Sequence, residues 1–264
     1  MTAKFRLILF VLLGLAGCSP ALPGARTSAP QEITVFAASS LTEAFQEAAK
    51  AFEAQHSDIR VALNFAGSSQ LAAQLSEGIA ADVFASANVA QMQAVIDMGL
   101  IQAGTEAIFA ANRLIVIVPA NNPANLSAPE DLAKPGVKLI LAVEGVPVRD
   151  YTDQIVARMP MDFQTAFYAN VVSEEDNVRQ VAAKVALGEA DAGIVYTSDV
   201  TPEIANRVLQ IAIPDGQNVV AVYPIAPLAD APHPAAAQQF IDFILSPEGQ
   251  SILLRRGFNP PPGI

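Results

Sequence analysis

Tryptophan, cysteine and histidine are nearly missing from this sequence: its 264 residues hold no Trp, one Cys and two His. A single cysteine excludes an internal disulfide and any multi-cysteine metal centre. Two histidines are a poor inventory for a metal site or a Ser-His-Asp triad. Charge is sparse at 16% and lopsided, with 15 Lys and Arg against 26 Asp and Glu, a net −11. So acidic a chain argues against nucleic acid as a partner, because phosphate binding draws its affinity from clustered Lys and Arg. It equally removes a broad basic patch as the means of collecting a small anion, which neutral donors would have to hold locally. The Gly-x-Gly-x-x-Gly, Gly-x-x-x-x-Gly-Lys and Gly-x-Ser-x-Gly patterns are absent as well, and with them the usual dinucleotide, nucleotide and esterase sites.

What is present is an apolar, alanine-rich chain, 52% hydrophobic, long enough for one large domain or two modest ones. Its first 17 residues follow a separate logic. Lys4 and Arg6 precede an apolar stretch, Leu7 to Leu15, that is short for a membrane span and suits the core of an export signal. Leu15-Ala16-Gly17-Cys18 resembles the lipobox of bacterial lipoprotein signals, which implies a lipid on Cys18 and cleavage before it. Loss of Lys4 and Arg6 would leave 13 basic against 26 acidic residues, a charge of −13. Residues 18–31 lack hydrophobic periodicity and read as a flexible tether.

From Ile33 onward, short apolar runs alternate with helical patterns. Strands are expected at Ile33–Ala37, Val61–Phe65, Asp82–Ala85, Arg113–Val118, Lys138–Val143, Ala192–Tyr196 and Val219–Ile225. Helices are expected at 41–52, 70–77, 89–98, 150–158, 177–187 and 235–245, with a last one opened by Ser246-Pro247. Repeated β-α-β alternation predicts an α/β fold with mostly parallel sheets flanked by helices. The number of units exceeds one small sheet, so two lobes are expected. Residues 32–111 and 222–264 would form lobe I and residues 112–221 lobe II, with a ligand cleft between them.

Two strand-to-helix junctions stand out. Phe36-Ala37-Ala38-Ser39-Ser40-Leu41-Thr42-Glu43 and Phe65-Ala66-Gly67-Ser68-Ser69-Gln70 both end a buried strand in serines that open a helix. Ser40 and Glu43 have capping-box spacing. In parallel sheets such junctions lie at the carboxyl ends of strands, where open α/β sheets bind ligands. A helix start offers unpaired N–H groups and about half a positive charge; with serine hydroxyls it becomes an anion seat that needs no cation. Helix capping alone would also account for each serine. The two histidines stand apart from these seats: His56 follows a helix in a polar loop, and His233 lies between Pro232 and Pro234.

The stretch Ile33-Thr34-Val35-Phe36-Ala37-Ala38-Ser39-Ser40-Leu41-Thr42 resembles the opening of the molybdate-binding proteins of bacterial ABC importers, a type II solute-binding family. Asn64-Phe65-Ala66-Gly67-Ser68-Ser69-Gln70-Leu71 is similar to their second serine turn, and Ala81 to Ala87 to the strand that follows. Gly193-Ile194-Val195-Tyr196-Thr197-Ser198-Asp199 and Arg255-Arg256-Gly257-Phe258 complete the set. In order, these segments span nearly all of residues 32–258.

The resemblance implies an exported protein of the cell envelope or periplasm, lipid-anchored to a membrane, that captures molybdate or tungstate and delivers it to an ABC permease. It implies no catalysis, no cofactor, no metal beyond the oxyanion itself, no nucleic acid and a monomeric state. Carried over by position, the oxyanion would be held by the hydroxyls of Ser40 and Ser68, each helped by its own amide, the amides of Val148 and Val178, and the phenol of Tyr196. Ser39, Ser69 and Arg149 are further candidates. Arg149-Asp150 departs from the small residue usual in the family: Arg149 either forms a salt bridge at the helix start or adds a cation near the cleft. Glu43 is expected to face away from the seat, and Tyr151, Tyr168 and Tyr223 to serve packing. Sulfate, phosphonate or ferric ion on the same fold, a secreted α/β hydrolase using Ser40 or Ser68, and an envelope adhesin remain alternatives.

Overall fold

The computed structural model describes residues 30–262; the expected leader, Cys18 and all but the last two residues of the tether lie outside them. The first strand, β1 (Gln31–Ala38), begins at the last position assigned to the tether. It is buried on both faces, which is why it reads as a continuous apolar run. Ile33 and Val35 pack in one core cluster with Phe45 and Phe52 of α1 (Thr42–Gln55), while Phe36 packs in another with Leu71 and Met92. Beyond α1 come β2 (Ile59–Ala66), α2 (Ser68–Ser76), β3 (Val83–Ala85) and α3 (Val89–Asp97).

The long strand β4 (Ala107–Pro119) links the two lobes. Its residues 107–113 pair antiparallel with β9 (Val220–Pro227), and residues 114–119 pair antiparallel with β7 (Ala192–Tyr196) and β8 (Val208–Ala212). Between them the chain adds β5 (Leu139–Ala142), α4 (Pro147–Val156), α5 (Met161–Ala169), β6 (Val171–Glu175) and α6 (Val178–Ala186). The chain closes on α7 (Pro234–Leu245) and α8 (Pro247–Arg255), where the Ser246 hydroxyl caps Gly249 N–H. The overall strand order is β2-β1-β3-β9-β4-β7-β5-β6, with β8 on β4. The architecture is the expected two-lobed α/β one. Its parallel pairs are β1–β2, β1–β3, β5–β6 and β5–β7, and every antiparallel pair involves β4 or β9.

Three elements lie outside the sequence expectations. The α5 helix buries only Phe167 fully, β6 is a polar strand with just Glu175 buried, and β8 alternates weakly. None carries the apolar periodicity by which such elements are read.

Register aligns the functional ends. Ala37 and Ala38 of β1 pair with Phe65 and Ala66 of β2, and Ala37 also pairs with Ala85 of β3. The turns after these three strands therefore lie side by side. In lobe II, Ala142 of β5 pairs with Glu175 of β6, and Ile140 with Gly193 of β7. The starts of α4 and α6 and the end of β7 are gathered in the same way.

Candidate functional site

The carboxyl ends of strands from both lobes meet around a small cavity. Ser39, Ser40, Gly67, Ser68 and Ala87 line it from lobe I, and Val146, Pro147, Val148, Val178 and Tyr196 from lobe II. Ser40, Ser68, Val148, Val178 and Tyr196 are all at most 3% exposed, so polar atoms here that lack protein partners lack water as well.

Several do lack partners. The Tyr196 hydroxyl is buried with no hydrogen bond, and burial lifts its pKa well above 10.0, which keeps it a neutral donor. The Ser68 oxygen accepts the Ala87 N–H at 3.0 Å, and its proton has no acceptor among the described residues. The amides of Val148 and Val178 lie in the first turns of α4 and α6, where no carbonyl stands one turn earlier to receive them. In α6 the Asn177 side chain caps Arg179 N–H and Gln180 N–H and leaves the Val178 amide over. In α4, Pro147 opens the helix without an N–H, and Arg149 N–H and Asp150 N–H both bond Val146 O. The α2 helix starts at Ser68, so three helix N-termini converge on the cavity with their partial positive charge.

The cavity admits the centres of water-sized atoms over about 10 Å³, close to the room of a single water. It is a site for a small solute rather than a large one. A neighbouring cavity of about 300 Å³ lies on the other side of Ser40, bounded by Thr197, Thr201 and Phe258, with Arg255 and Arg256 at its edge. Both arginines are held by Glu47, at 2.8 and 2.6 Å, so it offers no comparable set of free donors.

Two candidates are not brought to the site. Ser69 is half-buried and off the cavity wall, turned aside by its place on α2 next to Ser68. Arg149 points to the opposite side of α4. Its Nε is 2.9 Å from Asp153 Oδ1 and its Nη1 is 3.1 Å from Ala142 O and bonded to Glu174, while its Cζ lies 5.6 Å from the Tyr168 ring centroid. It is therefore a salt-bridging residue, buried rather than on the surface, and adds no cation to the cleft. Ser39 is on the wall, its carbonyl accepting Thr42 Oγ1 at 2.7 Å.

Other expectations change in detail. Ser40 does not cap α1 with Glu43: it sits inside a 3-10 turn, Ser39–Leu41, with no side-chain cap. Glu43 pairs instead with Arg179 of α6, across the cleft. Tyr223 packs, as expected, but its hydroxyl also lies 3.2 Å from Ser40 Oγ. Tyr151, Tyr196 and Tyr223 do cluster, with ring centroids 6.4 and 5.8 Å apart along the row. Two of their hydroxyls have protein partners: Tyr151 accepts Val222 N–H and Tyr223 meets Ser40. Among the described residues no group of three His, Cys, Asp or Glu could hold a metal ion, and no helix is long and apolar enough to cross a membrane. The Ser40–Tyr223 and Glu43–Arg179 partnerships had no local sequence signal, since each joins residues more than a hundred positions apart.

Two lobes with facing helix starts, free donors and a small cavity between them define a protein that binds a small solute in its cleft. The sequence matches the family of bacterial extracellular solute-binding proteins over residues 33–259, and the chain belongs to that family. It is 39% identical over 255 residues to the molybdate-binding protein ModA of Mycobacterium tuberculosis, covering 95% of each chain. The periplasmic molybdate-binding protein of Azotobacter vinelandii superposes with a TM-score of 0.76 at 21% identity, over 87% of this chain and 99% of that one. The sulfate-binding protein SubI of Mycobacterium tuberculosis gives 0.77 at 20%, over 88% of each. These two structures share the fold.

Proposed function

We propose that this protein captures molybdate or tungstate in the cleft and presents it to an ABC importer, outside the cytoplasm and held to a membrane by a lipid on Cys18. The observation that carries the reading is the buried, unpartnered Tyr196 hydroxyl, lining a cavity that Ser40, Ser68 and the first turns of α4 and α6 also line. Ser40, Ser68 and Tyr196 supply hydroxyls and Val148 and Val178 supply amides; Ser39 adds to the wall. Lobe I comprises residues 32–111 and 222–264, lobe II residues 112–221, and they move about the crossings near Asn112 and Ala221. The protein acts as a monomer and carries out no reaction. The two histidines are engaged elsewhere: His56 stacks on Phe52 at 4.3 Å, and His233 sits against Asp82.

A hydrogen bond to a charged group contributes about 1.5–3 kcal/mol net. Six or more of them, at the upper end of that range, offset hinge and ordering costs and leave about −12 kcal/mol, a nanomolar Kd. A site lined by hydroxyls and amides, with no carboxylate on its wall, favours a fully deprotonated dianion, because every anion oxygen can then accept. The high identity to a molybdate-binding relative supports the choice among dianions.

Thermal unfolding with molybdate, tungstate, sulfate and phosphate at equal concentration tests the proposal. Ligand at 100 times its Kd adds about 2.7 kcal/mol of stability. A large upward shift with molybdate and tungstate alone is expected; no shift with either contradicts it.

A further inference from the structure

We infer that Arg149 is a positioning residue for the oxyanion site: it braces the start of α4 so that the Val148 amide is held toward the cavity before the lobes close. This rests on the proposed capture of molybdate and gives a role to a residue that touches no ligand.

The two lobe II amides are set in different ways. In α6 the Asn177 Oδ1 accepts Arg179 N–H at 3.1 Å and Gln180 N–H at 3.2 Å, which fixes the first turn and with it the Val178 amide. α4 has no such cap. Its N-cap is Val146, whose side chain cannot accept a hydrogen bond, and Pro147 follows without an N–H. The turn that leads into it is closed by one main-chain bond, Val146 N–H to Val143 O at 3.2 Å, and contains Gly145 at φ +82°, a residue with wide backbone freedom. From lobe I, Asn88 bonds Asp150 and Gln91 bonds the Gly145 carbonyl, both at 3.0 Å. Those bonds cross the cleft and break when it opens.

Arg149 supplies the missing anchor from within lobe II. It is buried, one position after Val148. Nη1 donates at 3.1 Å to the carbonyl of Ala142, the last residue of β5, and also to Glu174 of β6. Nε donates at 2.9 Å to Asp153 Oδ1, one turn further along α4, and the Tyr168 hydroxyl of α5 donates to the same oxygen at 2.7 Å. The first turn of α4 is thus tied to both strands behind it and to the next helix. A planar guanidinium holds these separate directions at once, where an ammonium would act as a point charge. The placement is unfavourable in itself, since a cation in a first turn meets the positive end of the helix and burial takes it out of water. An apolar side chain of similar volume in such a position is often neutral or stabilising for a fold. What Arg149 contributes is geometry: a donor already in place when the anion arrives binds without a further ordering cost.

Titration of the isotope-labelled full chain and its Arg149→Met variant with molybdate, followed through the backbone amide signals in solution NMR, tests the inference. Wild-type protein that binds no molybdate defeats the underlying reading before any variant is compared. Wild-type protein that binds it with no shift at the Val148 amide overturns this inference alone. In Arg149→Met the affinity is expected to fall about tenfold, the equivalent of one hydrogen bond to a charged group. The molybdate-induced shift at Val148 should shrink while that at Val178 is kept. Unchanged affinity, or equal losses of shift at the two amides, would mark Arg149 as a salt bridge of the fold alone and overturn the proposal. Should Arg149→Met fail to fold, Glu174→Gln removes one of its partners at a half-exposed side chain. A reduced Val148 shift beside an unchanged Val178 shift is then expected, and an equal response at both amides overturns the proposal.

Discussion

Arg179, in the first turn of α6, reaches across the cleft to the carboxylate of Glu43 in the first turn of α1. Both side chains are about a quarter exposed, 24% and 23%, so the pair is only partly screened by solvent. Asn88 Nδ2 to Asp150 Oδ2 at 3.0 Å and Gln91 Nε2 to Gly145 O at 3.0 Å join the lobes elsewhere. These links hold the closed form, and their loss shifts the balance toward an open one.

Glu43→Gln removes the charge on the lobe I side while keeping the shape. A partly exposed ion pair contributes up to about 1 kcal/mol, so molybdate affinity is expected to fall by roughly fivefold. Stopped-flow titration would place most of that loss in dissociation. Tighter binding would show that the pair does not favour closure.

Gly67 faces the Asp176 carbonyl of lobe II so closely that a Cβ on it would stand 2.6 Å from that oxygen. Gly67→Ala is expected to keep lobe I folded and to prevent full closure, lowering affinity more than tenfold. X-ray scattering would show no contraction on adding molybdate. A normal contraction with wild-type affinity would mean that the lobes approach less closely than described.

Tyr196→Phe separates stability from binding. Deleting a buried hydroxyl that bonds nothing in the protein should leave the ligand-free melting temperature unchanged or slightly higher, whereas affinity drops by about 1.5–3 kcal/mol, tenfold or more. A destabilised ligand-free protein with intact affinity would remove Tyr196 from the site.

Asp199 is completely buried, and burial pushes its pKa from 3.8 to about 7, with Arg179 opposing. Its Oδ2 accepts the Tyr196 amide at 3.0 Å while Oδ1 lies 3.5 Å from the Arg179 guanidinium. Between pH 4 and 7 the folded state holds a proton that the unfolded state has released. Stability from this group is therefore full below about pH 4 and is lost as pH rises to about 7. In chemical denaturation at pH 5 and pH 8, Asp199→Asn should gain on the wild type as pH rises. Parallel behaviour of the two proteins would refute the assignment.

What the sequence made legible was whatever a strand's or helix's own period carries. The apolar run of β1, the alternating faces of α1 and the serine turns at 39–40 and 68–69 needed no tertiary information. α5, β6 and β8 stayed hidden because their burial comes from neighbours rather than from their own pattern. At the site, the residue types were readable but directions were not. Arg149 follows Val148 by one position, and the roughly 100° between successive helical residues sends one amide to the cavity and the other side chain to Glu174. The Tyr223–Ser40 bond likewise required β9 to pass beside the end of β1, separated from it by β3 alone.

A crystal structure of the protein grown with molybdate tests the central claim most directly. The account predicts one tetrahedral anion in the small cavity, its oxygens within hydrogen-bond distance of Ser40 Oγ, Ser68 Oγ, the Val148 and Val178 amides and the Tyr196 hydroxyl, with no cation touching it. An anion found instead in the larger cavity beside Arg255 and Arg256, or the small cavity empty at saturating molybdate, would contradict it.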